Sequence, residues 1–170
     1  MIKVGDLLPA VTFKTRELGE WVEKSSVDLW SNERCVIFGL PGAFTPTCSN
    51  EQLPRFEELA TEFAKYGINN IYCVSVNDAF VMNAWAKNQK LENVKVIPDG
   101  SGRFTRGMGM LVRKDPEDFG YRSWRYAAHI EDCVIKKMWV EEGKIDDCPT
   151  DPYEVTDPHN ILKDLKDGFE

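Results

Sequence analysis

Short apolar runs that alternate with capped helices predict an α/β fold, a mixed central sheet flanked by helices. Three observations carry this. Cys35–Leu40, Ile71–Val76 and Val94–Ile97 are apolar runs of strand length. The first two lead into helix starts at Thr45-Pro46 and at Asp78. Further on, Tyr126–Ile130 and Cys133–Val140 read as a β-hairpin turning at Glu131-Asp132, with a helix after it. Strand–helix units feeding an antiparallel hairpin give a mixed sheet covered on both faces.

Each element has its own signal. After Thr45-Pro46, the residues Leu53, Phe56, Leu59, Ala60 and Phe63 recur at helical spacing, and Gly67 closes the helix as a C-cap. Pro54 falls inside this helix, where it removes a backbone donor and predicts a kink. From Asp78, a mostly apolar helix carries Ala79, Phe80, Met82, Trp85 and Ala86. Pro98-Asp99-Gly100 turns the chain before a short helix near Arg103–Met108. Arg113–Gly120 reads as a charged loop, and Asp157-Pro158 caps a last helix over Asn160–Lys166. A thioredoxin-like arrangement fits this order, although periodicity alone leaves a flavodoxin-like one open.

The chain has 170 residues, a size expected to form one domain, 1–170, with a substantial core. Its 42% hydrophobic and 29% charged residues are those of a globular protein, not a disordered one. The net charge of −7 argues against nucleic acid or an anionic membrane as the main partner, since both select basic patches. A small neutral substrate remains open. Charges interrupt every apolar run well short of a span of about 18 residues. The start Met-Ile-Lys-Val-Gly-Asp lacks the apolar stretch of a signal peptide, so the expected location is cytoplasmic. Five cysteines, an odd number, then point to free thiols. They form no Cys-x-x-Cys pair, which leaves neither a zinc knuckle nor a dithiol motif.

The segment Phe38–Ser49 joins a buried strand to a capped helix, at the carboxyl end of the strand where α/β folds bind ligands. Cys48 falls in the first helical turn, where unpaired N–H groups favour a thiolate. A helix terminus contributes roughly 0.3–1 kcal/mol at an exposed site, less than the ~1.36 kcal/mol that moves a titration by one pH unit. A reactive Cys48 therefore needs a cation folded over it. The chain has two histidines, His129 and His159, and neither adjoins the motif, which favours an arginine or lysine.

Pro41-x-x-x-Thr45-x-x-Cys48 matches the Pro-x-x-x-Thr/Ser-x-x-Cys signature of peroxiredoxins. The longer string Pro-Gly-Ala-Phe-Thr-Pro-Thr-Cys-Ser resembles the type-V branch, called type II in plants, whose members work with one cysteine or as atypical two-cysteine enzymes. Cys73–Val81, Lys3–Asp6 and Trp124-Arg125-Tyr126 are similar to further blocks of that branch, so the resemblance spans nearly the whole chain. It implies a thioredoxin-like fold and reduction of hydrogen peroxide and organic hydroperoxides, an antioxidant role in cell redox homeostasis. It also implies Cys48 as the peroxidatic cysteine and Thr45 as the hydroxyl that hydrogen-bonds peroxide and thiolate. Pro41 would shield the pocket, and Arg125 would stabilise the thiolate and hold the peroxide. No metal, haem or flavin is expected. The co-substrate would be a thiol, from glutathione with glutaredoxin or from thioredoxin, and the assembly a homodimer. One position departs from the branch: Gln52 stands where a histidine is usual, and an amide hydrogen-bonds but does not take up charge.

The other cysteines divide by surroundings. Cys35 and Cys73 lie in apolar runs and read as core, and Cys133 at the hairpin turn as incidental. Cys148 lies in a polar, turn-like stretch, and an exposed thiol there is a candidate to resolve a sulfenic acid on Cys48. Arg122 competes with Arg125 as the cation beside Cys48. Trp85 reads as core. Two other classes of function compete: a redox-sensing, binding or chaperone-like protein that uses Cys48 as a switch, and a cysteine hydrolase whose base would have to be His129 or His159.

Overall fold

The computed structural model describes residues 2–168; residues 1, 169 and 170, the ends of the expected 1–170 domain, lie outside the described residues. The chain opens with strands β1 (Thr12–Glu17) and β2 (Glu20–Ser25), then helix α1 (Ser26–Trp30) and strand β3 (Arg34–Leu40). Helices α2 (Leu53–Glu58) and α3 (Ala60–Ala64) precede β4 (Asn70–Ser75), α4 (Ala79–Asn88), β5 (Val94–Pro98) and α5 (Arg103–Gly107). Then come β6 (Leu111–Arg113), β7 (Tyr121–Ser123), β8 (Tyr126–Glu131), β9 (Val134–Val140) and α6 (Pro158–Gly168).

The central sheet runs in the order β5-β4-β3-β8-β9. Strands β3, β4 and β5 pair in parallel, while β8 runs antiparallel to both β3 and β9. The flavodoxin-like arrangement falls away, because one of the five strands, β8, runs antiparallel to the rest. Strand alternation splits the core into two layers. Cys35, Ile37, Tyr72 and Ala128 face a cluster that contains Trp30 of α1 and Phe104 of α5. Val36, Phe38, Cys73 and Ala127 face Phe56, Phe63, Trp85 and Ile161, which belong to α2, α3, α4 and α6. Phe38 and Phe56 stack with centroids 4.0 Å apart, fixing α2 on β3.

Several expectations need correction. The single helix expected from Pro46 to Gly67 is three pieces. A π-helical turn spans Cys48–Gln52, with the Leu53 N–H bonded to the Cys48 carbonyl; α2 follows, and Leu59 (φ −95°, ψ 7°) breaks the path before α3. Pro54 thus sits in the first turn of α2, not in a helix interior. A proline has no N–H to donate there, and the widened turn before it absorbs the misfit. Gly67 does take the left-handed conformation (φ +78°) that ends the segment. The charged loop over Arg113–Gly120 is bounded by two short strands, since β6 pairs with β7. The late hairpin turns one residue later than expected, at Asp132 and Cys133, both with positive φ. The β1–β2 hairpin was not signalled at all. Its turn is Leu18-Gly19, both left-handed, and β1 packs on α4 and β5.

Candidate active site

Three loops and one buried strand start build the site. The loop after β3 carries Pro41, Gly42 and Ala43, all buried. Asn77, just after β4, accepts through Oδ1 from the Ala43 N–H (3.0 Å) and the Ser75 hydroxyl (2.6 Å), tying that loop to the next strand. Arg122 donates from Nη1 to the Pro41 carbonyl (3.0 Å). A Cβ on Gly42 would lie 2.1 Å from that same nitrogen, so only glycine leaves room for it. Thr45 donates its hydroxyl proton to the Gly42 carbonyl (2.7 Å). The oxygen keeps its lone pairs, and the hydroxyl acts as a brace of the loop, not as the helix cap expected of it. None of the described hydrogen bonds joins Pro41 or Thr45 to Cys48 directly.

Cys48 begins the π-helical turn and is 1% exposed. The indole of Trp85, fully buried, donates from Nε1 to the hydroxyl of the next residue, Ser49 (2.9 Å). Trp85 is core, as expected, and also fixes the turn that carries the sulfur. Against that sulfur lies Arg125, 1% exposed, with Nη1 3.5 Å from Cys48 Sγ. Two unit charges at that distance attract by about 5 kcal/mol at an effective dielectric constant of about 20, before desolvation is subtracted. That contact is the cation beside the sulfur that the sequence called for. Burial works against the charge of Arg125; Cys48 and Asp151 outweigh it and hold the guanidinium protonated. Arg122 is also within electrostatic reach of Cys48, but its Nη1 is engaged with the Pro41 carbonyl.

The remaining contacts of Arg125 were not foreseen. Nη1 also donates to Oε1 of Gln52, Nε to the Pro152 carbonyl (3.2 Å), and Nη2 to Asp151 Oδ1 (2.5 Å). Gln52 is fully buried, and its Nε2 has no hydrogen-bond partner among the described residues. Its position in the sequence, on one helical turn with Cys48, was the available signal. Asp151 and Pro152 gave none, because they lie 26 and 27 residues beyond Arg125 in an irregular segment.

The other thiols are placed less productively. All five cysteines are free. Cys148 is buried (7% exposed), against expectation, and packs in the cluster on the opposite face of the sheet from Cys48. Its polar neighbours face outward while the sulfur turns in, toward Thr150 Oγ1 at 3.5 Å. Cys35 and Cys73 are fully buried, and burial pushes both thiols well up. Neither histidine touches Cys48 among the described contacts: His129 lies 3.8 Å from Glu131 and His159 binds Asp157. No group of three His, Cys, Asp or Glu side chains among the described residues is arranged to hold a metal ion. No helix among them is long and apolar enough to cross a membrane.

The model of the redoxin family matches residues 3–153. A peroxiredoxin of Rhizobium etli is 58% identical over 168 residues, 94% of either chain. Among solved structures, the Plasmodium falciparum antioxidant protein, a 1-Cys peroxiredoxin, is similar at TM-score 0.93 and 34% identity over 98% of this chain and 99% of its own. Reduced Prx3 of Vibrio vulnificus, in complex with hydrogen peroxide, is similar at TM-score 0.89 and 35% identity over 100% of this chain and 99% of that one.

Proposed function

This chain belongs to the peroxiredoxins, within the redoxin family, and is a thiol-dependent peroxidase; from that premise we propose that Cys48 is its nucleophile and Arg125 the cation that serves it. One observation carries the assignment, the buried Arg125 Nη1 placed 3.5 Å from Cys48 Sγ. The thiolate attacks the terminal oxygen of ROOH in line with the O–O bond. An S–O bond forms, the O–O bond breaks, and the leaving RO⁻ takes a proton to become ROH. Sulfur is oxidised to sulfenic acid as the peroxide is reduced. Charge moves from sulfur to the departing oxygen, and Arg125 Nη1 is a fixed donor beside that path. Pro41 shields the sulfur from the loop side, and Thr45 supplies a hydroxyl that exchanges its bond to Gly42 for one to the peroxide. Hydrogen peroxide and small organic hydroperoxides are the substrates, a reading supported by the peroxide-bound Vibrio vulnificus relative. Sulfur does the redox work, with no metal, haem or flavin.

Recycling takes two equivalents of an external thiol, which return sulfenic acid to thiol and release a disulfide and water. Glutathione with glutaredoxin is the favoured donor and thioredoxin the other. Burial of Cys148 on the far face supports a one-cysteine cycle over resolution by that thiol, as does the likeness to a 1-Cys peroxiredoxin. The chain is read as one domain in the cytoplasm, where five free thiols fit a reducing compartment. Exposed Phe44, Phe80 and Tyr121 support a homodimer that would cover them.

The test is intact-protein mass after one equivalent of hydrogen peroxide, with and without a sulfenic-acid trap. Wild type should give a rapid trapped adduct, absent in Cys48→Ser. Retained oxidation in the mutant would remove Cys48 as the nucleophile. Loss of two hydrogens in the wild type, mapped to Cys48 and Cys148, would restore Cys148 as a resolving thiol.

A further inference from the structure

The guanidinium of Arg125 is planar, and its orientation is set along one edge. Nε and Nη2 form that edge, and both bind consecutive residues of one segment, the Pro152 carbonyl and the Asp151 carboxylate. Nη1 is left to face Cys48 and Gln52. The segment is a strap between β9 and α6, anchored on either side. Buried Glu141 accepts the backbone N–H of Glu154, Val155 and Thr156 together with the Thr156 hydroxyl. Further out, Arg113 grips Asp147 through Nε (2.9 Å) and Nη2 (2.6 Å). The Tyr153 ring lies 5.6 Å from the Arg125 guanidinium and 5.5 Å from that of Arg55.

We propose that Asp151 is a positioning residue for the peroxidase reaction: from the strap it turns Arg125 so that Nη1 points at Cys48. The proposal rests on Cys48 and Arg125 acting as described above. A carboxylate on this arginine has two effects of opposite sign. It fixes the direction of the guanidinium, which favours the thiolate and aligns the donor. It also offsets part of the positive charge, which disfavours the thiolate. Asp151 is about half exposed (46%), so water screens its charge, whereas the hydrogen bond that fixes the buried guanidinium persists. Positioning therefore outweighs neutralisation.

The two effects separate in Asp151→Ala and Asp151→Asn, compared with wild type by stopped-flow oxidation with hydrogen peroxide and by ultraviolet titration of the Cys48 thiolate. Asp151→Ala should slow oxidation roughly 10- to 100-fold, the range for a misplaced catalytic group, and should shift the thiolate titration to higher pH. Asp151→Asn keeps an acceptor oxygen on the strap and should recover most of the lost rate. Faster oxidation and more thiolate in both variants would overturn the proposal and make Asp151 an opposing charge. A lower melting temperature with rate and titration unmoved would also overturn it, leaving only a structural tie. A wild-type protein oxidised no faster than a free thiol would instead sink the reading of Cys48 on which the proposal stands.

Discussion

Arg125 is the point where the fold and the chemistry meet. It carries its charge at 1% exposure, beside buried Cys48 and Gln52 and the half-exposed Asp151. Removing it leaves Gln52 Oε1, Asp151 and the Pro152 carbonyl without their donor. Arg125→Ala should cut the second-order rate of Cys48 oxidation by roughly 100-fold or more and lower the fraction of thiolate at neutral pH. Competition kinetics on a variant shown to be folded by circular dichroism checks this, and an unchanged rate would pass the role to Arg122. At this scale the motif was legible because Pro41, Thr45 and Cys48 stand on one loop at fixed spacing, and Arg125 in a recognisable block. Asn77, Asp151 and Pro152 were not legible, since an asparagine or aspartate in a turn has many local uses and only the closed fold selects one. Gly39 carries a signal of its own. A glycine inside a strand run marks close approach, and a Cβ there would lie 2.2 Å from the Tyr126 ring.

Among the elements, α2 is held by more than its apolar face. Glu57 accepts the backbone N–H groups of Glu92 (3.2 Å), Asn93 (2.9 Å) and Val94 (2.9 Å), joining α2 to the start of β5. Partial burial pushes its carboxyl up, but the amides of Val94 and Asn93 outweigh this and hold it below the usual carboxylate range. A carboxyl depressed in the fold stabilises it fully above the unfolded value of about 4.3. That contribution disappears as pH falls through the lower folded value. Glu57→Gln should cost roughly 1 kcal/mol at pH 7, reduced by partial exposure, and almost nothing near pH 3. Urea midpoints at the two pH values check it, and equal losses at both would mean that charge is not involved. Strands β3, β4 and β5 were legible from their apolar runs, and β8 and β9 from the hairpin pattern, in which β9 alternates buried Ile135 and Trp139 with exposed lysines. Strands β1 and β2 were missed because their exposed side chains outnumber the buried ones, and Leu18 is an unexpected residue for a left-handed turn. The break between α2 and α3 was missed because Leu59 and Ala60 continue the apolar spacing straight through it.

The whole molecule is a thioredoxin-like sheet with core on both faces, and its two clusters share every central strand. A defect in one layer therefore reaches the other through the same backbone. The single-domain reading predicts one cooperative transition in guanidinium chloride, with tryptophan fluorescence and far-ultraviolet circular dichroism coincident. Trp30 lies in one cluster and Trp85 in the other, so fluorescence samples both layers. Separated midpoints would show that the layers unfold independently. The fold class was legible at this scale from the order of strands and helices. The choice between flavodoxin-like and thioredoxin-like was not, because it depends on the direction of β8, which no local pattern encodes.

At 1% exposure, Cys48 meets an outside molecule only when the fold around it opens. A peroxide of a few atoms needs only a small opening to reach the sulfur. A globular thiol donor is far too large to touch it there. In the proposed cycle, oxidation then asks for little movement of the fold, whereas recycling by a protein donor would need the π-helical turn to open. The return half of the proposed cycle would then carry its own clock. However abundant such a donor became, recycling should then reach a ceiling set by how often that turn opens, seen as saturation of the turnover rate with donor concentration.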